Sequence, residues 1–84
     1  MKNYFITFRS ITYAQRAEKT FLRNGISCHI RRTPRWMEER GCGYCLRMHR
    51  KDVAAAVNLL RQNQVIFSKI YCLRQDGQGE ELVL

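Results

Sequence analysis

The residues best suited to chemistry lie in one stretch, Arg31-Arg32-Thr33-Pro34-Arg35-Trp36-Met37-Glu38-Glu39-Arg40-Gly41-Cys42-Gly43-Tyr44-Cys45, which also holds the only proline and the only tryptophan of the chain. Cys42 and Cys45 form a Cys-x-x-Cys pair. A cysteine is a nucleophile only as the thiolate, and positive charge nearby favours that anion. Arg35 and Arg40 precede Cys42 and Arg47 follows it, so this thiol has cations on both sides in sequence. Gly41 and Gly43 let the backbone bend around it. The residues alone leave two readings open: a loop cysteine with no role, or an activated, loop-borne Cys42 with Arg35, Arg47 and Arg40 as anion-binding residues and Cys45 as a second thiol able to resolve an adduct.

A scaffold must present this loop, and its elements can be read in order. Residues 3–9 alternate, with Tyr4, Ile6 and Phe8 against Phe5, Thr7 and Arg9, as a half-buried strand does. Thr12-x-x-Gln15 offers a capping box. Ala14, Ala17 and Phe21 then make an apolar helical stripe, closed by Asn24-Gly25. Residues 26–31 read as a second strand that ends before Pro34, and residues 35–41 read as a loop. Residues 44–49 form a third strand, with Tyr44, Leu46 and Met48 inward and Cys45, Arg47 and His49 on the opposite face. Asp52 opens a second helix carrying Val53, Ala56, Val57 and Leu60, and Asn63 or Gln64 closes it. Residues 65–73 are a fourth strand, and residues 75–84 form a polar C-terminal tail, with the glycine-rich part 75–81 expected to be mobile and Leu82-Val83-Leu84 either docking or fraying. The order β-α-β-β-α-β predicts an α+β, ferredoxin-like domain over residues 1–74. Its four-stranded antiparallel sheet has the first and third strands side by side in the centre, with two helices on one face.

The bulk numbers agree with one small globular unit. The chain has 84 residues, 45% of them hydrophobic. No apolar run is long enough to span a membrane and no leader pattern opens the chain, so the expectation is cytoplasmic, with no membrane partner. The net charge is +8, with eleven arginines to four lysines. That balance favours anionic partners. Cys28 and Cys72 fall in apolar strand patterns and read as small core residues rather than as a disulfide framework.

Several motifs along the chain resemble a known family. Thr7-Phe8-Arg9-Ser10, Ala14, Ala17-Glu18-Lys19, Gly25-Ile26, Thr33-Pro34-Arg35, Cys42-Gly43 and Leu46-Arg47 are similar to the pattern of the selenium/sulfur carrier-like domain, a family of small bacterial proteins. The similarity covers roughly residues 4–73. It implies that sulfur or selenium is carried on the cysteine matching Cys42, as a persulfide or selenosulfide. It also implies donor and acceptor proteins as partners, and a carrier rather than a turnover enzyme. The chain departs from that pattern in the loop 36–41, which lacks the family's small hydroxyl residues, and at Cys45, where the family often has a small apolar residue.

Other readings compete. As a thiol–disulfide redox motif, Cys42-Gly43-Tyr44-Cys45 lacks the helix N-terminus that usually activates one. Zinc would need two further ligands from Cys28, His29, His49 and Cys72, none at knuckle spacing, so no metal and no cofactor is expected. RNA binding is the alternative from another class. Arg40-Gly41-Cys42-Gly43-Tyr44 partly imitates a third-strand RNA signature, with Phe5 as a first-strand stacking ring, but Cys42 replaces an aromatic, so nucleic-acid binding would be weak and salt-sensitive. A pure interaction domain is the third reading. The open sheet face, with Phe5, Thr7, His29, Arg31, Cys45, Arg47 and His49, would then pair two copies as a homodimer. No Ser/His/Asp set, phosphate loop or carboxylate pair supports hydrolysis or phosphoryl transfer.

Overall fold

The alternation at the start of the chain builds the first strand, β1 (Asn3–Phe8). In the computed structural model, residues 3–33, 43–73 and 79–82 are described. The chain leaves β1 through Ser10, whose extended backbone and hydroxyl cap α1 (Ile11–Arg23); the Ser10 Oγ accepts from the Tyr13 N–H at 3.3 Å. The cap is therefore Ser10 and not Thr12, because the helix begins almost as soon as the strand ends. Ala14, Ala17 and Phe21 turn inward as the stripe predicts. The Ile26 N–H reaches back to the Phe21 carbonyl at 2.9 Å and the Gly25 N–H to that of Leu22 at 3.3 Å, with Gly25 at φ 77°. This closure satisfies the last carbonyls and needs a left-handed residue, which glycine supplies without strain.

Because the Ile26 N–H is spent on the helix, strand pairing starts later than the sequence pattern suggests, and β2 spans His29–Arg32. β3 (Tyr44–His49) has the expected bounds, and a short 3-10 turn, Arg50–Asp52, leads into α2 (Val53–Gln62). Asp52 stands at the start of α2, but its side chain makes no cap hydrogen bond. α2 ends as α1 does: the Val65 N–H donates to the Leu60 carbonyl at 2.9 Å, and Gln64 takes the positive φ of 55°.

The fourth strand, β4 (Ile70–Leu73), is shorter than the apolar run from Val65 suggests. Thr7 is the reason. Its backbone N–H donates to the Lys69 carbonyl at 2.8 Å and its carbonyl accepts from the Ser68 N–H at 2.8 Å, so two residues stand opposite one; the displaced Lys69 N–H donates to the Thr7 hydroxyl at 3.0 Å, and this bulge ends the regular ladder. The expected tail is also corrected. Gly79–Leu82 form β5, antiparallel to β4, so the sheet has five strands rather than four.

The strand order is β2-β3-β1-β4-β5, all neighbours antiparallel, with β1 beside β3 near the centre. One apolar row, Ile30–Leu46–Ile6–Ile70–Leu82, crosses all five strands. The residues of this face pack with Ala14, Ala17 and Phe21 of α1 and Val53, Ala56, Val57 and Leu60 of α2 as the main core. Cys28 and Cys72 belong to that core, as expected. Among the described residues, no helix is long and apolar enough to cross a membrane.

Candidate functional site

The face away from the main core was expected to lie open, and its centre does not. Phe5, Cys45 and Tyr71 form a second buried cluster with Leu73 packed against it, and Thr7 is buried beside them. The physical reason is the cross-strand register. Phe5 sits between Arg47 of β3 and Tyr71 of β4, and Thr7 sits opposite Cys45. Two rings side by side on neighbouring strands cover one another and the small thiol next to them. Exposed residues of this face lie at both edges: His29, Arg31 and His49 on and near the β2 side, with Arg47 half-buried, and on the β5 side Glu81, ion-paired with Lys69 at 3.3 Å. Two consequences follow for the sequence readings. The ring of Phe5, expected to stack on a base, is 6% exposed. The patch expected to join two copies is closed at its centre within a single chain.

The cysteines separate by face. Cys28 and Cys72 are buried on the side of the helices, while His29 and His49 are exposed on the other, so the face alternation divides the four residues considered as further zinc ligands. Cys28, Cys45 and Cys72 are free thiols. Burial, with the charge of Glu18, pushes the Cys28 thiol up to about 11. The Cys72 thiol beside the Tyr4 hydroxyl, together with burial, raises the tyrosine's pKa.

Cys45 is the site thiol that the structure describes. It has no exposed surface, and burial pushes it up to about 11; the Arg31 charge and the Thr33 hydroxyl oppose that shift without overcoming it. Arg31 is its partner across the β2–β3 ladder. Arg31 was read from the sequence as one cation among many; only the register sets it opposite a thiol. Arg47 is on the same face two residues further along β3, opposite His29 and Phe5. Cys42, Arg35 and Arg40, and the loop read over 35–41, lie outside the described residues.

Both ends of that loop are held. The Thr33 N–H donates to the Gly43 carbonyl at 3.0 Å, closing a neck across which the chain leaves β2 and returns to β3. A Cβ at Gly43 would lie 3.3 Å from the Phe8 carbonyl oxygen and 3.2 Å from the Thr33 Oγ1, so only glycine fits the neck without displacing a neighbour. Cys42 is the residue bonded directly to Gly43.

The Thr33 hydroxyl is buried with no hydrogen bond of proper geometry, although it lies close enough to favour the Cys45 thiolate. Burying an unsatisfied hydroxyl costs about 1–3 kcal/mol. Thr33→Val, which keeps the shape and removes that group, is therefore expected to raise stability by about 1 kcal/mol. A higher urea midpoint at unchanged denaturant dependence is the readout; a lower one would mean that the hydroxyl does have a partner in solution.

No curated protein matches the chain in a sequence search. A family model described as "Putative Se/S carrier protein-like" matches residues 3–72, from the first residue of β1 to the penultimate residue of β4. With most of its length inside that match, the chain belongs to the Se/S carrier protein-like family.

Proposed function

We propose that this protein carries sulfur or selenium on Cys42, passing it between a donor and an acceptor protein as a carrier rather than by turnover. The supporting observation is the neck. The Thr33–Gly43 hydrogen bond fixes the point from which the Cys42 segment departs, next to buried Cys45 and its exposed cross-strand partner Arg31. The strand order β2-β3-β1-β4, with helices behind the sheet, is what we read as ferredoxin-like, and the neck lies at the end of the paired β2 and β3.

In the loading step, the Cys42 thiolate attacks the outer sulfur of a donor persulfide. A new sulfur–sulfur bond forms at Cys42, the donor's bond breaks, and the donor leaves as a thiolate. Arg35, Arg40 and Arg47 are proposed to stabilise the anionic cargo. Release to Cys45 would form a Cys42–Cys45 disulfide and expel hydrosulfide. A thiol with no exposed surface and a pKa near 11 is a poor attacking group at neutral pH. Cys45 therefore holds this second step back while the neck is closed, and the cargo stays on Cys42 until a partner arrives.

Intact mass after incubation with a polysulfide, or with a bis(alkylthio)selenide, tests the reading. The wild type is expected to gain one sulfur or one selenium (the latter with its attached thiol), reversed by reductant, and Cys42→Ser to gain none. A wild type that gains nothing from either donor rejects the carrier function, and an adduct retained by Cys42→Ser moves the site to another cysteine.

A further inference from the structure

β2 (His29–Arg32) is an outer strand, and no described strand pairs with its free side. Thr33 faces β3 through its N–H bond to Gly43, and Arg31 and His29 share that phase of the ladder. Ile30 and Arg32, in the opposite phase, turn their backbone N–H and carbonyl groups outward. The side chains on this edge are also organised. His29 and Arg31 are exposed on the Cys45 face, and half-buried Ile30 and exposed Arg32 are on the other. Among the described residues this outward row of backbone donors and acceptors has no partner, and with Arg31 and His29 on one face and Ile30 and Arg32 on the other it matches an extended peptide that alternates acidic and apolar residues.

Two other occupants fit less well. A second copy of this chain carries a net charge of +8, and two such chains repel. A single-stranded nucleic acid needs rings to stack on, and the two aromatic residues at the centre of this face, Phe5 and Tyr71, are buried. Charge complementarity therefore selects an acidic protein segment.

We propose that the outer edge of β2 captures an extended acidic segment of a partner protein as an added strand, with Arg31 and His29 facing its carboxylates and Ile30 its apolar residues. The proposal deepens the carrier reading and rests on it for its purpose. β2 precedes the Cys42 segment in the chain, and the purpose proposed for the added strand is to deliver the donor or acceptor to that segment. Exposed ion pairs contribute modestly and are screened by salt, so the complex is weak, transient and favoured at low ionic strength.

The test is an amide-resolved NMR titration of the full chain with an acetylated eight-residue peptide of alternating glutamate and valine. Shift changes are expected at the Ile30 and Arg32 amides. Binding is expected to weaken about tenfold in Arg31→Glu, the size that reversal of one close charge commonly produces at an interface. The same peptide with alternate amides N-methylated keeps its charge but loses its backbone donors, and is expected to bind at least about tenfold more weakly. Equal binding of the N-methylated peptide would overturn strand addition in favour of bare charge attraction. Shift changes confined to other elements would overturn the site. An oligouridylate that moves the β2 amides while the peptide does not would replace the acidic peptide with nucleic acid. Peptide docking at β2 without sulfur loading of Cys42 would leave this inference standing and remove the carrier reading; loading without docking would do the reverse.

Discussion

Leu46→Ala is expected to cost about 3 kcal/mol, in the range for emptying a fully buried leucine site. Leu46 has no exposed surface and stands in β3 between Ile30 of β2 and Ile6 of β1, in the row that crosses the whole sheet. The space it vacates is bounded by strands on both sides and by the helices behind, so collapse around the cavity is limited. For a chain of this size total stability is about 4–13 kcal/mol, so one substitution removes at least about a fifth of it. The measurement is urea unfolding followed by far-UV circular dichroism. A loss below about 1 kcal/mol would mean that this part of the core repacks freely, contrary to a sheet with one fixed register. The site has a stake in this result, because Leu46 is bonded to Cys45 and shares its strand with Arg47.

The second large effect concerns thiol reactivity. The folded Cys45 titrates near 11 against an ordinary value of 9.0. Two units lower its thiolate fraction at neutral pH about a hundredfold, and exclusion of reagent slows it further. Iodoacetamide is therefore expected to label Cys45 at least about a hundredfold more slowly in the native protein than in denaturant, with the proposed carrier Cys42 labelled first. Mass spectrometry of the alkylated peptides reads this directly. Native labelling of Cys45 at the denatured rate would show that the neck between Thr33 and Gly43 opens readily.

The same shifts set a pH dependence. Cys28 and Cys45 are protonated in the fold up to about 11, while in the unfolded chain they ionise near 9.0. Their contribution to stability is thus complete below pH 9 and is lost as pH rises from about 9 to about 11. The urea midpoint should fall across that window and fall less in a Cys45→Ala background.

The elements of this protein follow from local pattern because each rests on neighbouring residues. The period-two alternation of Tyr4, Ile6 and Phe8 and of Tyr44, Leu46 and Met48 determined two strands and their inward faces. The spacing of Ala14, Ala17 and Phe21 and of Val53, Ala56, Val57 and Leu60 determined two helices, and Asn24-Gly25 the end of the first. Family membership was legible for a related reason, since its motif residues follow the order of these elements. What depends on distant partners was not legible. The short stretch from Gly79 to Leu82 carries no strand signal of its own and becomes β5 because β4 offers it an edge. The run from Val65 reads as strand throughout, yet opposite Thr7, more than sixty residues away, Ser68 and Lys69 form a bulge that ends the regular ladder. The sheet face opposite the helices looked open because alternation assigns residues to a face but cannot say what lies beside them across strands. Register decides that, placing Tyr71 next to Phe5 and Arg31 opposite Cys45, and so turning the second thiol of the Cys-x-x-Cys pair into a buried, protonated one. The sequence by itself determined which residues could do thiol chemistry and which elements hold them; the tertiary structure decided which thiol is sequestered, because burial and cross-strand charge depend on pairings that no single stretch of chain contains.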